Sequence, residues 1–209
     1  SNSFVEMVVI LGAIFMGLPS PLTVTQILWL HLICDGPPDI ILGFEPGEKN
    51  IMKERPRNMR KEKILDSSVR FMITSISVFV GIISLIVFSY YYKSSGDLTL
   101  ARTVMFGTLA SVDLIYIFSF KNLRKPLFKI DNFFKNKYLF LGVLYGFTLV
   151  FSAIYVPGIS KALGMVAIDT LHWFPIIAVG ISSIILVEII KAFFNYKEKH
   201  NSNHETAVL

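Results

Sequence analysis

Apolar positions in this chain come in long blocks separated by short polar stretches, not in strand-like alternation or the single apolar stripe of a soluble helix. The first block, Val5 to Leu18, is closed by Gly17-Leu18-Pro19-Ser20-Pro21 and is short for a crossing, so it is expected to be the final part of a truncated helix. Leu22 to Phe44 is long enough to cross, but Asp35-Gly36-Pro37-Pro38 interrupts it, and prolines there remove backbone donors and break the helix. A broken helix at membrane depth is tolerated where it lines a cavity enclosed by protein. Val69 to Tyr92 and Ala101 to Phe120 form the next pair of crossings, joined by the short turn Lys93 to Leu100. Tyr138 to Val156 and Leu171 to Phe194 form the last pair, joined by Pro157 to Thr170. The pattern predicts an all-α fold: a polytopic transmembrane bundle of about six helices, the second one broken at Asp35 to Pro38, with residues 1–209 forming a single transport domain.

Composition agrees with a bilayer environment. Of 209 residues, 53% are hydrophobic and only 17% charged, and the mean hydropathy of +0.59 exceeds what a soluble domain of this size tolerates. The net charge is +5, and most of the lysines and arginines sit in two polar loops between apolar blocks, residues 45–68 and 121–137, and not along one soluble face. That distribution argues against a nucleic-acid partner and for membrane orientation. Lys49, Lys53, Arg55, Arg57, Arg60, Lys61 and Lys63 in the first loop, and Lys121, Arg124, Lys125, Lys129, Lys135 and Lys137 in the second, place both loops in the cytoplasm by the positive-inside rule. The tail, 195–209, falls on the same side and is expected to be polar and frayed. Cys34 is the sole cysteine, so no internal disulfide forms. Ser1-Asn2-Ser3 followed by Glu6 lacks the basic start of a signal peptide, and no internal repeat supports an inverted-repeat transporter.

The candidate chemistry lies in acids placed inside apolar helices, where an ionisable group costs on the order of 2.5 to 3.5 kcal/mol on insertion scales. Glu6 lies in the first block, Asp35 in the broken second and Asp113 in the fourth, with Asp39 one turn beyond Asp35. Convergence of these carboxylates with hydroxyls and freed carbonyls would replace the hydration shell of a hard cation. His31, Cys34 and Asp35 fall at i, i+3 and i+4 and so share one helix face, as Ser3 and Glu6 do on the first helix. Each has a plainer reading. Glu6 reads equally as an interface residue near the chain start. Asp113, among Ser111, Tyr116 and Ser119, has a neutral hydrogen-bonded acid as its alternative, and Asp39 reads as a protonated acid behind the ligands. His31 and Cys34 suit a transition metal but are more ordinary as packing groups, and Glu188 reads as the structural partner of Lys191. Tyr90, Tyr91, Tyr92, Trp173 and Phe193 fit interfacial belts.

Pro21-Leu22-Thr23-Val24-Thr25-Gln26-Ile27-Leu28-Trp29, Asp35-Gly36-Pro37-Pro38, Leu42-Gly43-Phe44-Glu45-Pro46 and Ile51-Met52-Lys53-Glu54-Arg55-Pro56-Arg57 together resemble the C-terminal transmembrane region of P2-type cation ATPases, the calcium-pump group. The resemblance implies that the segments correspond to transmembrane helices five to ten of such pumps. It implies Glu6 and Asp35 as cation ligands and Asp113 as the eighth-helix acid where calcium pumps usually carry Glu. Ser3 stands where they carry Asn, His31 replaces a usual Asn and Cys34 a usual Thr. The six metal-site candidates are therefore Glu6, Asp35, Asp113, Ser3, Cys34 and His31, with Ca2+ the cation implied and Mn2+, Na+, K+ or H+ the alternatives.

No Asp-Lys-Thr-Gly phosphorylation motif occurs in the 209 residues. The resemblance then implies that ATP and Mg2+ act only in absent domains, namely N-terminal transmembrane, actuator, phosphorylation and nucleotide-binding parts, and that this chain is not catalytic alone. The expected function is the membrane part of an ATP-driven cation pump. A free-standing channel or ion-coupled secondary transporter using the same acids is the alternative, and a membrane scaffold the third class.

Overall fold

The computed structural model describes residues 2–32, 36, 40–41, 43, 67–120 and 137–206. Among these, seven helices and no strand are found. They are α1 (Asn2–Phe15), α2 (Val24–Leu30), α3 (Ser67–Ser95), α4 (Leu98–Phe120), α5 (Lys137–Tyr155), α6 (Pro157–Leu163) and α7 (Thr170–Thr206). Four of them, α3, α4, α5 and α7, contain stretches long and apolar enough to cross a membrane; α1 is apolar but shorter. The helical membrane bundle expected from the pattern of apolar blocks is what forms.

Local chemistry sets where each helix stops. Gly96, at φ 68°, closes α3 in a left-handed turn that a side chain would strain. Asp97 then caps α4, its Oδ1 accepting from Thr99 N at 2.8 Å. Pro157 opens α6 at a position where its missing N–H costs nothing, and Gly164 closes it at φ 63°. The connection between the last two crossings carries α6. One expectation needs correction. The tail beyond Phe194 is not frayed over its whole length, because α7 continues to Thr206; no proline or glycine stands between Phe194 and Thr206 to stop it. The two basic loops lie outside the described residues.

α4 is the central helix: 78% of its apolar stretch is buried, against 44% for that of α3 and 39% for those of α5 and α7. α7 makes its most extensive contact with α4, while α3 packs on α1, α4 and α7. Glycines allow these backbones to approach closely, the usual device where lipid supplies no hydrophobic drive between helices. A methyl at Gly180 of α7 would stand 2.8 Å from Ile115 Cδ1, and one at Gly107 of α4 would stand 3.1 Å from Ile176 Cδ1. The two contacts advance together, so α4 and α7 run parallel. Gly146 of α5 receives Leu114 of α4. On the other flank, a methyl at Gly81 of α3 would stand 2.6 Å from Val8 Cγ1 and 2.9 Å from Val8 Cβ, while Gly12 of α1 receives Leu85. α1 and α3 are therefore parallel too.

Gly81→Ala pushes against the branched Cβ of Val8 and not a flexible chain end, so it is expected to destabilise the detergent-solubilised protein by about 1–3 kcal/mol. Gly158→Ala, where nothing lies within 4 Å of the added methyl, is the control. Identical thermal midpoints for the two variants would rule out the close α1–α3 approach.

Candidate functional site

The depth of the acids follows from packing. Gly81 lies near the middle of the 27-residue span Val69–Ser95, and it is met by Val5 O and Val8 of α1. Glu6, between those two residues, is therefore level with the middle of that span. On the other side of the bundle, Leu114 packs on Gly146, the midpoint of the 19-residue span Lys137–Tyr155. Asp113, its neighbour in sequence, lies at a comparable depth in α4 and is partly buried.

Glu6 and His31 come together. The imidazole Nε2 stands 3.0 Å from Glu6 Oε2, hydrogen-bond distance, and links α1 to the end of α2. The Glu6 side chain is 13% exposed and that of His31 37%. At His31 and Leu32 the helix widens into a π-type turn immediately before the Asp-Gly-Pro-Pro segment, a local winding found often at functional sites. Ser3, one turn before Glu6, is exposed. Asp35, Cys34 and Asp39 lie outside the described residues. Among the described residues, no three His, Cys, Asp or Glu side chains gather into a group able to hold a metal ion. Two donors, an imidazole nitrogen and a carboxylate oxygen, are thus held side by side at mid-depth.

Two of the three hydroxyl residues near Asp113 in the sequence, Ser111 and Ser119, do not hydrogen-bond to it through their side chains. Ser111 Oγ and Ser119 Oγ are buried and make no hydrogen bond among the described residues, so neither serves a neutral Asp113. The backbone oxygen of Ser119 has another role: it accepts from Lys191 Nζ, whose second partner is Glu188 Oε1 at 3.0 Å. The Lys191 side chain is fully buried. Its ammonium occupies the carbonyl end of α4, where a cation is favoured by the helix dipole. The i, i+3 pairing of Glu188 and Lys191 is as expected, but the Ser119 carbonyl has no sequence signal.

A second polar system closes the opposite end of the bundle. Thr23 and Gln26 form a reciprocal cap on α2, with Thr23 N donating to Gln26 Oε1 at 2.9 Å and Gln26 N donating to Thr23 Oγ1 at 3.3 Å. The spacing Thr-x-x-Gln ahead of an apolar run is the sequence signature of such a cap. Gln26 is fully buried and its Nε2 also donates to Leu163 O, 3.2 Å away at the end of α6. Arg102 Nε donates to Ser20 O at 2.9 Å, Val166 N to Thr103 Oγ1 at 3.2 Å, and Tyr155 OH to Ile168 O at 2.8 Å. Trp173, read from sequence as an interfacial aromatic, donates through Nε1 to Tyr155 OH at 2.8 Å.

Comparison with known proteins adds a second kind of finding. The profile of the family described as "Cation transporting ATPase, C-terminus" matches residues 19–193. The chain is 31% identical over 207 residues to Calcium-transporting ATPase 1 of Bacillus cereus, covering 91% of this chain and 23% of that protein. It is 31% identical over 180 residues to a calcium-transporting ATPase of Bacillus subtilis, covering 86% and 20%. With Calcium-transporting ATPase type 2C member 1 of Mus musculus it shares 30% identity over 212 residues, covering 99% and 22%. The chain thus spans about a fifth to a quarter of the length of these relatives.

The Glu6–His31 contact couples the two side chains. Glu6→Gln and His31→Gln are then expected to lower the thermal midpoint by less in combination than the sum of the single effects. Strict additivity would mean that the two groups do not interact in the membrane-embedded protein.

Proposed function

Because the chain belongs to the family of cation-transporting ATPase C-terminal regions, we propose that it forms the membrane transport part of an ATP-driven cation pump and supplies carboxylate ligands to the transported ion. The observation that carries this reading is the position of Glu6: a carboxylate level with the middle of a membrane span, paired across a helix boundary with His31. A group so placed is costly unless it serves a purpose. In this reading Asp35, four positions beyond His31 in the sequence, supplies a second carboxylate, and Asp113 contributes from the central helix. Ser3 and Cys34 complete the set.

The similarity to calcium-transporting ATPases supports Ca2+ as the cargo. His31 beside Glu6 supports a second reading of the ion, since an imidazole nitrogen next to a carboxylate oxygen also suits a divalent transition ion such as Mn2+. ATP binding, Mg2+ and phosphoryl transfer belong, on this proposal, to domains elsewhere in a longer protein, whose phosphorylation state shifts these helices between two arrangements. The basic loops 45–68 and 121–137 and the tail 195–209 face the cytoplasm in this reading, by their lysine and arginine excess.

The test is ATP-dependent uptake of Ca2+ and, separately, Mn2+ into vesicles holding the full-length ATPase with this segment. Asp35→Asn and Glu6→Gln are each expected to abolish uptake of the physiological ion while the protein still reaches the membrane. Undiminished transport by Asp35→Asn would remove that residue from its assigned role, and undiminished transport by both variants would remove the carboxylate site.

A further inference from the structure

Gln26 is fully buried, yet its side chain does two separable jobs. Its Oε1 accepts from Thr23 N and completes the cap of α2. Its Nε2 reaches Leu163 O at the end of α6, one of the carbonyls that a helix end leaves without an intrahelical partner. A cap needs only the first of these. The second binds α2 to a connection that is itself fixed in place. Val166 N is held by Thr103 of α4, and Ile168 O by Tyr155 of α5. Arg102, adjacent to Thr103 on the same central helix, holds Ser20 O just ahead of α2. The start of α2 is therefore fastened to the α4–α5–α7 platform from two directions, by Arg102 and by Gln26.

The other end of α2 is where the helix widens at His31 and Leu32 and where His31 meets Glu6. Only five positions separate Gln26 from His31, so a short rigid helix transmits any shift at one directly to the other. Leu30, one turn from Gln26 on the same face, is also buried and keeps that face turned to the platform. Rotation of α2 by even part of a turn would carry His31 away from Glu6.

We propose that Gln26 is a positioning residue for the cation site: its hydrogen bond to Leu163 O sets the rotation and depth of α2, and through them the approach of His31 to Glu6. The connection between α5 and α7 is in this way part of the machinery that tunes ion affinity, although it holds no ligand. The inference rests on the reading of Glu6 as a cation ligand. Without the brace, α2 has to be ordered at the moment of ion binding, and that ordering is deducted from affinity.

The experiment uses the full-length ATPase with its catalytic domains and reads the cation concentration giving half-maximal phosphorylation from ATP, together with the maximal level. Gln26→Leu removes both the acceptor that caps α2 and the donor for Leu163 O. Gln26→Met, close in volume and uncharged, removes both as well. Thr23→Ala removes the hydroxyl of the cap and leaves the brace. The two Gln26 variants are expected to raise the half-maximal concentration by on the order of tenfold, the scale of one buried hydrogen bond, with the maximal level retained. Thr23→Ala is expected to lower thermal stability but leave the half-maximal concentration near the parent value. A parent-like concentration in both Gln26 variants overturns the proposal, as does an equal shift in Thr23→Ala. Loss of folding in both Gln26 variants with Thr23→Ala folded assigns Gln26 to the fold alone and also overturns it. Glu6→Gln separates the two levels: if it leaves the cation dependence unchanged, the cation-site reading fails whatever Gln26 does. If it abolishes the dependence while the Gln26 variants behave as the parent, only the brace fails.

Discussion

A carboxylate at the middle of a lipid-spanning bundle has no water to turn to, so protein must satisfy it. Glu6 meets that constraint through His31, and much of the remaining architecture serves to bring those two side chains to the same point. α1 reaches the right depth because Gly81 lets Val5 and Val8 press against the middle of α3. α2 presents His31 because its first turn is capped by Thr23 and Gln26 and fastened to the neighbouring connection. α2 does not hold its place unaided: it has only seven residues, and a helix so short is marginal without tertiary support.

Two kinds of contact divide the labour of holding the bundle. In the interior, close approach at Gly107, Gly146 and Gly180 packs α4 against α5 and α7. At the ends, polar clamps take over. Lys191 closes the carbonyl end of α4 with Glu188 as its counter-charge. At the other end, Arg102, Thr103, Tyr155 and Gln26 gather the loops. The result is a platform built on the most enclosed helix, α4, with the shorter α1 and α2 set against it.

The four long helices were legible in the chain because bilayer thickness dictates about 20 apolar residues per crossing. The ends of the first three fell within a few residues of those read from the sequence, as with Val69 to Tyr92 against Ser67–Ser95 and Tyr138 to Val156 against Lys137–Tyr155, whereas α7 runs past Phe194 to Thr206. His31 and Glu6 were each readable as candidates in the sequence, but their meeting was not, because that depends on how two helices distant in sequence approach one another. The Thr-x-x-Gln spacing carries the cap of α2, but the second bond of Gln26, to Leu163 O, has no sequence signal because its acceptor is backbone. The hold of Lys191 on Ser119 O left no trace in the sequence, as a backbone acceptor has no residue identity. α6 was missed because seven residues bounded by proline and glycine resemble a loop in composition.

Placement of acids at mid-depth acquires meaning only if an ion sits among them. The direct measurement is a density map of the full-length ATPase in its cation-loaded state, at a resolution that locates the ion. Density between α1 and α2, about 2.3–2.6 Å from carboxylate oxygens of Glu6 and Asp35 if the ion is Ca2+, is the expected result. An ion bound elsewhere in the membrane, with Glu6 still turned to His31 alone, would contradict it.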